Sequence, residues 1–288
     1  MSNTWKSALG LVGLLLSAAT PGLAQDWRTI TSLRQFNGED ELRVVVEYGA
    51  GNLTVGPLDG NALYKTTLRY DADAFEPVTQ YRNGVLRVGV EGGSVKGRNL
   101  KSGRLYLGLG QRVPLTLDLK FGAVQANIEL GKLRIHELHV ATGASETRLN
   151  VGSLNPINCA ELKFEVGAAE FAATGLGNLN CEVINVAGGV GDVTLDFNGG
   201  WRVNSEVDID MGLGSLTLRI PRGLGVSVKK TGVLASFDSQ ELVKRGNTFY
   251  SQNWESAGNR VTFNIDAALG SIRMVWVEPE VEFKKAQR

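Results

Sequence analysis

The sequence predicts an all-β fold: stacked strand–glycine–strand repeats of about 22 residues, forming a single-domain-like β-solenoid capped by less regular β segments at both ends. Three observations predict it. The 288 residues include 36 glycines but only 7 prolines, and with abundant Val, Leu and Ile this is the composition of a β protein with many tight corners. Apolar and polar residues alternate on both sides of a glycine, as in "LKFEVGAAEFAATGL" (162–176) and "VDIDMGLGSLTLRI" (207–220), which reads as strand, corner, strand. The glycines also recur: Gly122, Gly143, Gly167, Gly189 and Gly212 lie 21, 24, 22 and 23 residues apart.

The elements follow in chain order. Residues 1–24 read as a signal peptide, with Lys6, an apolar stretch from Ala8 to about Ala19, a Pro-Gly break and small residues before a cut after Ala24. The apolar stretch falls short of the roughly 20 residues that cross a bilayer; an uncleaved anchor is the alternative. No further stretch of the chain reaches that length, so the mature chain is expected to be exported, with no membrane span. Residues 25–115 read as an N-terminal β module. It opens with one strand–Gly–strand phrase, "ELRVVVEYGAGNLTV" (41–55), with its corner at Gly49. A hairpin turning at Asn83-Gly84 follows (75–93), then a glycine-rich loop (92–104) carrying Lys96, Arg98, Lys101 and Arg104.

Residues 116–222 are the regular coils. One, three and five residues before each glycine stand Phe121/Leu119/Leu117, Thr142/Val140/Leu138, Val166/Phe164/Leu162, Gly188/Val186/Ile184 and Met211/Ile209/Val207. Such a unit has one apolar face and buries it only by stacking on its neighbours. Glycine suits the corner either because φ is positive there or because adjacent backbones approach closely. Residues 223–288 read as a C-terminal capping segment and tail, ending on "VTFNIDAALGSIRMVWV" (261–277) with a corner at Gly270. An antiparallel sandwich with short hairpins is the rival architecture.

The two cysteines bear on that choice. Cys159 and Cys181 each precede a corner glycine by eight residues, so a solenoid stacks one on the other, within disulfide reach. The alternatives are a disulfide, formed in an oxidising compartment, and two buried thiols packing as small apolar groups.

Chemistry is harder to find. Cations and anions number 30 each, so no global field recruits nucleic acid or an anionic membrane. Gly49/Gly51, Gly108/Gly110, Gly189/Gly191 and Gly212/Gly214 follow strands, but they lead into further strands, and a dinucleotide site needs a helix there. No GxSxG elbow occurs. His136 and His139, three apart on a strand, are expected on opposite faces and so not to grip one metal, with His139 outward. The pair reads as two solvated surface histidines, and metal binding would need Glu137 or Glu161 brought close by the stack. Glu206, Asp208 and Asp210, with Asp192 and Asp196 on the preceding coil, read as a hydrated face; Ca²⁺ binding or glycosidic cleavage by clustered carboxylates is the remote alternative. No cofactor, metal or catalytic residue is expected.

The phrases "VEYGAGNLTV", "RVPLTLDLKFGAVQANIELGKLRI", "VDIDMGLGSLTLRIP" and "GNTFYSQNW…VTFNIDAALGSIRMVWV" resemble the bacterial toast-rack family of exported proteins. The same order of phrases is similar to the extracytoplasmic part of cell-wall-active-antibiotics response proteins and to candidate adhesin head domains. The resemblance spans roughly residues 40–277 and rests on structural glycines and apolar ladders, with no catalytic residues to carry over. It implies an envelope-facing, non-enzymatic interaction or scaffold module, in stress sensing or adhesion, whose partner is an envelope protein or glycan. Binding of a glycan or anionic polymer through the loop at 92–104 is the alternative.

Overall fold

The structure, a computed structural model, describes residues 26–93, 103–232, 234–238 and 240–279. The expected signal peptide and Lys96, Arg98 and Lys101 lie outside the described residues. Among the described residues there is no α-helix, and seventeen strands join in one sheet. In chain order these are β1 (Trp27–Gln35), β2 (Leu42–Leu58), β3 (Ala62–Asp71), β4 (Glu76–Arg82), β5 (Val85–Glu91), β6 (Arg104–Gly110), β7 (Pro114–Glu129), β8 (Arg134–Thr142) and β9 (Glu146–Asn150). Then come β10 (Cys159–Thr174), β11 (Cys181–Asp196), β12 (Ser205–Pro221), β13 (Gly225–Thr231), β14 (Leu234–Asp238), β15 (Leu242–Arg245), β16 (Thr248–Ser251) and β17 (Arg260–Val277).

The long strands are the rungs of the stack. β2 runs parallel to β7, β7 to β8 and β9, these to β10, and onward through β11, β12 and β17. Each long rung passes its corner and keeps the same partner on both sides: Val166 faces Gly188 before the glycine and Ala168 faces Val190 after it. Parallel neighbours throughout the coils overturn the antiparallel sandwich. Antiparallel pairing is confined to the ends, in β1–β3, β3–β6 and β4–β5 and in β13–β16 and β15–β16.

Inward side chains align from rung to rung because the period is matched by the register. Val44, Leu117, Leu138, Leu162, Ile184, Val207 and Phe263 form one such column, and each is at most 1% exposed. At roughly 25 cal/mol per Å² of apolar surface removed from water, these columns supply most of the favourable energy. Phe164 packs on Phe171 across the inside of its own corner, with ring centroids 4.8 Å apart.

Stacking order departs from chain order at both ends. β2 sits directly on β7, and β17 inserts between β12 and the strands β13 and β14. Each terminal long rung is then covered by two short strands instead of one bent strand, β5 with β6 over β2 and β13 with β14 over β17. Short, interrupted edge strands give another chain little to pair with.

Cys159 and Cys181 face each other across β10 and β11 with Cα atoms 4.2 Å apart, and a disulfide joins them. It closes a loop of 22 residues, for which the loss of unfolded-chain entropy is worth about 3 kcal/mol. Reduction, or the Cys159→Ala/Cys181→Ala variant, should lower stability by that amount without changing the fold, as read from urea unfolding with and without reductant.

Candidate functional site

The corner glycines form a column. Gly122 to Gly212 have ordinary φ, and what they lack is room. A Cβ at Gly122 would stand 2.4 Å from the Gly49 carbonyl oxygen, at Gly167 2.8 Å from that of Gly143, and at Gly212 2.5 Å from that of Gly189. Close approach is therefore the reason for glycine in this column. Positive φ belongs to a second column two residues on, at Gly51, Gly191, Gly214 and Gly270. Gly270 is in this second column, opposite Gly214; Ala268 lies level with Gly212. The spacing-based grouping of Gly270 with Gly212 is thus off by two residues, because β17 carries only one glycine of the pair.

A column without side chains leaves a trough on the outer surface. The resulting groove, about 1200 Å³, runs across the rungs from β2 to β17. One wall is the outward column two residues before the glycines: Glu47, Lys120, Ala141, Glu165, Ala187, Asp210 and Asp266, each in register with the next. Lys120 is engaged by Asp118 at 3.0 Å, and Glu165 by Lys163 at 2.5 Å. The Lys163 ammonium, chiefly by its hydrogen bond, holds the Glu165 carboxyl below the usual range. Glu47, Asp210 and Asp266 have no ion-pair partner among the described residues, so the groove carries uncompensated negative charge. Tyr48 and Thr142 are among the residues that line it; their hydroxyls are buried with no hydrogen-bond partner among the described residues, and burial pushes the Tyr48 phenol pKa up.

Next to the groove, His139 stands between Asp118 on the rung below and Glu165 on the rung above, at 3.1 and 3.4 Å. The two histidines were expected on opposite faces. The structure overturns this: the β7–β8 register slips at His136, Thr116 pairing with Glu137 while Leu115 pairs with Ile135, so His136 and Glu137 are both exposed. Among the described residues no group of three or more His, Cys, Asp or Glu is placed to hold a metal.

The acidic residues do not converge as one cluster. Glu206, Asp208 and Asp210 lie before the corner, opposite Val183, Asn185 and Ala187, whereas Asp192 and Asp196 lie past it, opposite Ser215 and Arg219. Asn264 Nδ2 donates to Asp208 Oδ1 at 2.8 Å and Glu206 Oε1 at 3.2 Å, and Asp196 is paired with Arg219 at 2.8 Å. Of the basic loop, Arg104 is the described member. It opens β6 between Asn52 and Arg69, with its side chain exposed.

Sequence reasoning placed Asp210 and Glu165 outward but missed the groove. Its signal was present in the repeating glycine, which removes a side chain at the same place in successive rungs. Also missed were the half-buried Asn178 and the buried Asn180, which bridge successive coils. Asn178 Nδ2 donates to the Val151 carbonyl at 2.8 Å, and Asn180 Nδ2 to the Gly200 carbonyl at 2.9 Å.

The chain matches one family model and is distantly similar to several solved structures. The family model of the N-terminal domain of toast_rack matches residues 24–171 and again 153–219. No curated relative matches the chain. A candidate cell adhesion protein from Clostridium sporogenes is similar at 17% identity, covering 87% of this chain and 100% of its own, with a TM-score of 0.44. A candidate adhesin from Bacteroides fragilis is similar at 13% identity over 86% of this chain and 97% of its own, with a TM-score of 0.42. At these scores neither likeness bears on role.

Proposed function

The chain belongs to the family of the N-terminal domain of toast_rack, and from that premise we propose that it is an exported interaction or scaffold module at the bacterial cell envelope rather than an enzyme. One observation carries the reading: a continuous groove crosses the stacked rungs, and three of its wall carboxylates, Glu47, Asp210 and Asp266, are left without an ion-pair partner among the described residues. Such a groove follows the stacking axis and suits an extended partner. Glycosidic cleavage by Asp208 and Asp210 would need both carboxyl groups facing one substrate, and Asp208 lies outside the groove lining, hydrogen-bonded to Asn264. The leader-like residues 1–24 support export.

Crosslinking of tagged protein in intact cells of the encoding organism, with mass spectrometry of what is captured, tests this. A reproducible partner linked to groove positions is the expected result. Retention instead on purified envelope polymers, lost as salt rises, would move the assignment to the loop at 92–104 and an anionic glycan. Turnover of a polysaccharide that disappears in the Asp208→Asn/Asp210→Asn variant would overturn the non-enzymatic reading.

A further inference from the structure

Between the two glycine columns each rung carries one outward residue, and these residues also stack. Ala50 pairs with Ala123, and Ala168 with Val190, while Ala144 follows its corner glycine between β8 and β9; on β11, β12, β17 and β14 the residues are Val190, Leu213, Leu269 and Leu234. The four large ones are exposed by 54%, 46%, 49% and 70%. At about 4.8 Å per rung they form an aliphatic ridge some 14 Å long. Folding does not demand it: alanine fills the same position in the other rungs, so Val and Leu here place apolar surface in water with no packing return. Contiguous exposed apolar surface of this kind marks interaction sites.

Charge along the β11, β12 and β17 part of the ridge selects the partner; at the Leu234 end the Lys230 ammonium donates to the Gly232 and Ala235 carbonyls. Asp210 and Asp266 stand three residues before Leu213 and Leu269, and Asp192 two after Val190, and none of the three has an ion-pair partner among the described residues. The Asp192 carboxylate accepts from the Ser215 hydroxyl. A second copy would bring the same carboxylates against these, and an anionic lipid surface would bring phosphates, so both are electrostatically opposed.

We infer that the ridge of Val190, Leu213, Leu269 and Leu234, with its flanking Asp192, Asp210 and Asp266, docks a cationic amphipathic polypeptide segment whose aliphatic side chains cover the ridge and whose Lys or Arg side chains reach the carboxylates. The inference rests on the interaction-module reading and gives it a surface and a partner chemistry. Dependence on both ridge and carboxylates separates it from bulk charge attraction.

The test uses the purified exported chain and a fluorescent peptide alternating leucine and lysine, with leucine–glutamate and serine–lysine peptides as controls. The leucine–lysine peptide should bind, and its Kd should rise at least about tenfold in Leu213→Ala/Leu269→Ala and again in Asp210→Asn/Asp266→Asn, with Tm unchanged in both. Equal affinity of the variants, equal binding of the serine–lysine peptide, stronger binding to phosphatidylglycerol vesicles, or self-association that ends in the leucine variant would each overturn it. The in-cell crosslink is a separate readout. A partner still captured by Leu213→Ala/Leu269→Ala would leave the module reading standing and remove the ridge from it. Peptide binding without any cellular partner would do the reverse.

Discussion

Gly214→Ala should destabilise the protein by more than about 3 kcal/mol, while Gly49→Ala should change stability by less than about 0.5 kcal/mol or raise it slightly. Both are glycines of corner columns on long rungs, so composition does not separate them. At Gly214 φ is +146°, and a Cβ would lie 1.9 Å from the carbonyl oxygen of Gly191 on the neighbouring rung. The added methyl pushes against backbone, which cannot swing aside as a side chain can, and the backbone conformation itself opposes an L residue. Gly49 has neither problem, with ordinary φ and nothing within 4 Å of the added atom. Its column shows why. The Cβ at Gly122, Gly143, Gly167, Gly189 and Gly212 points at the rung stacked before it, and Gly49 begins the series. Urea unfolding followed by circular dichroism decides the matter; a Gly214→Ala protein with the parent midpoint would show that the rungs are not held in this contact.

Asn155→Ala should cost about 3–5 kcal/mol, three hydrogen bonds at about 1 kcal/mol each plus the penalty of stranded backbone groups. Asn155 is 2% exposed. Its Oδ1 accepts from the Ile135 N–H at 3.0 Å, and its Nδ2 donates to the carbonyls of Ile135 at 2.7 Å and Leu179 at 3.2 Å. One side chain therefore ties the coil before it to the coil after it, where no strand ladder is available. Asn155→Asp should be no better, since it loses both donors and buries a charge. Urea unfolding and amide exchange at Ile135 measure the effect. Parent-like exchange protection at Ile135 in Asn155→Ala would contradict the assignment.

Much of the fold was legible along the chain. The inward columns, Leu117 to Val207 among them, follow from period-two alternation, and the alignment of Cys159 with Cys181 follows from the shared offset to the next glycine. The readings that failed did so for local reasons. Strict alternation misplaced His136 because the register slips there by one residue, and Gly270 was assigned to the wrong column because its rung lacks the first glycine. Of the basic loop proposed for anionic ligands, Arg104 alone is described.

By itself the sequence determined that the chain is a β stack with corners at its glycines and which side chains face inward. These are properties of one rung, written in the alternation of its own residues. The tertiary structure alone decided that β17 lies against β12 ahead of β13, that β2 is covered by β5 and β6, and that Glu47, Asp210 and Asp266 wall one groove. Those facts depend on which rungs are neighbours, and between rungs of the same period the contest is settled by backbone approach and side-chain fit across the stack, which no single rung records.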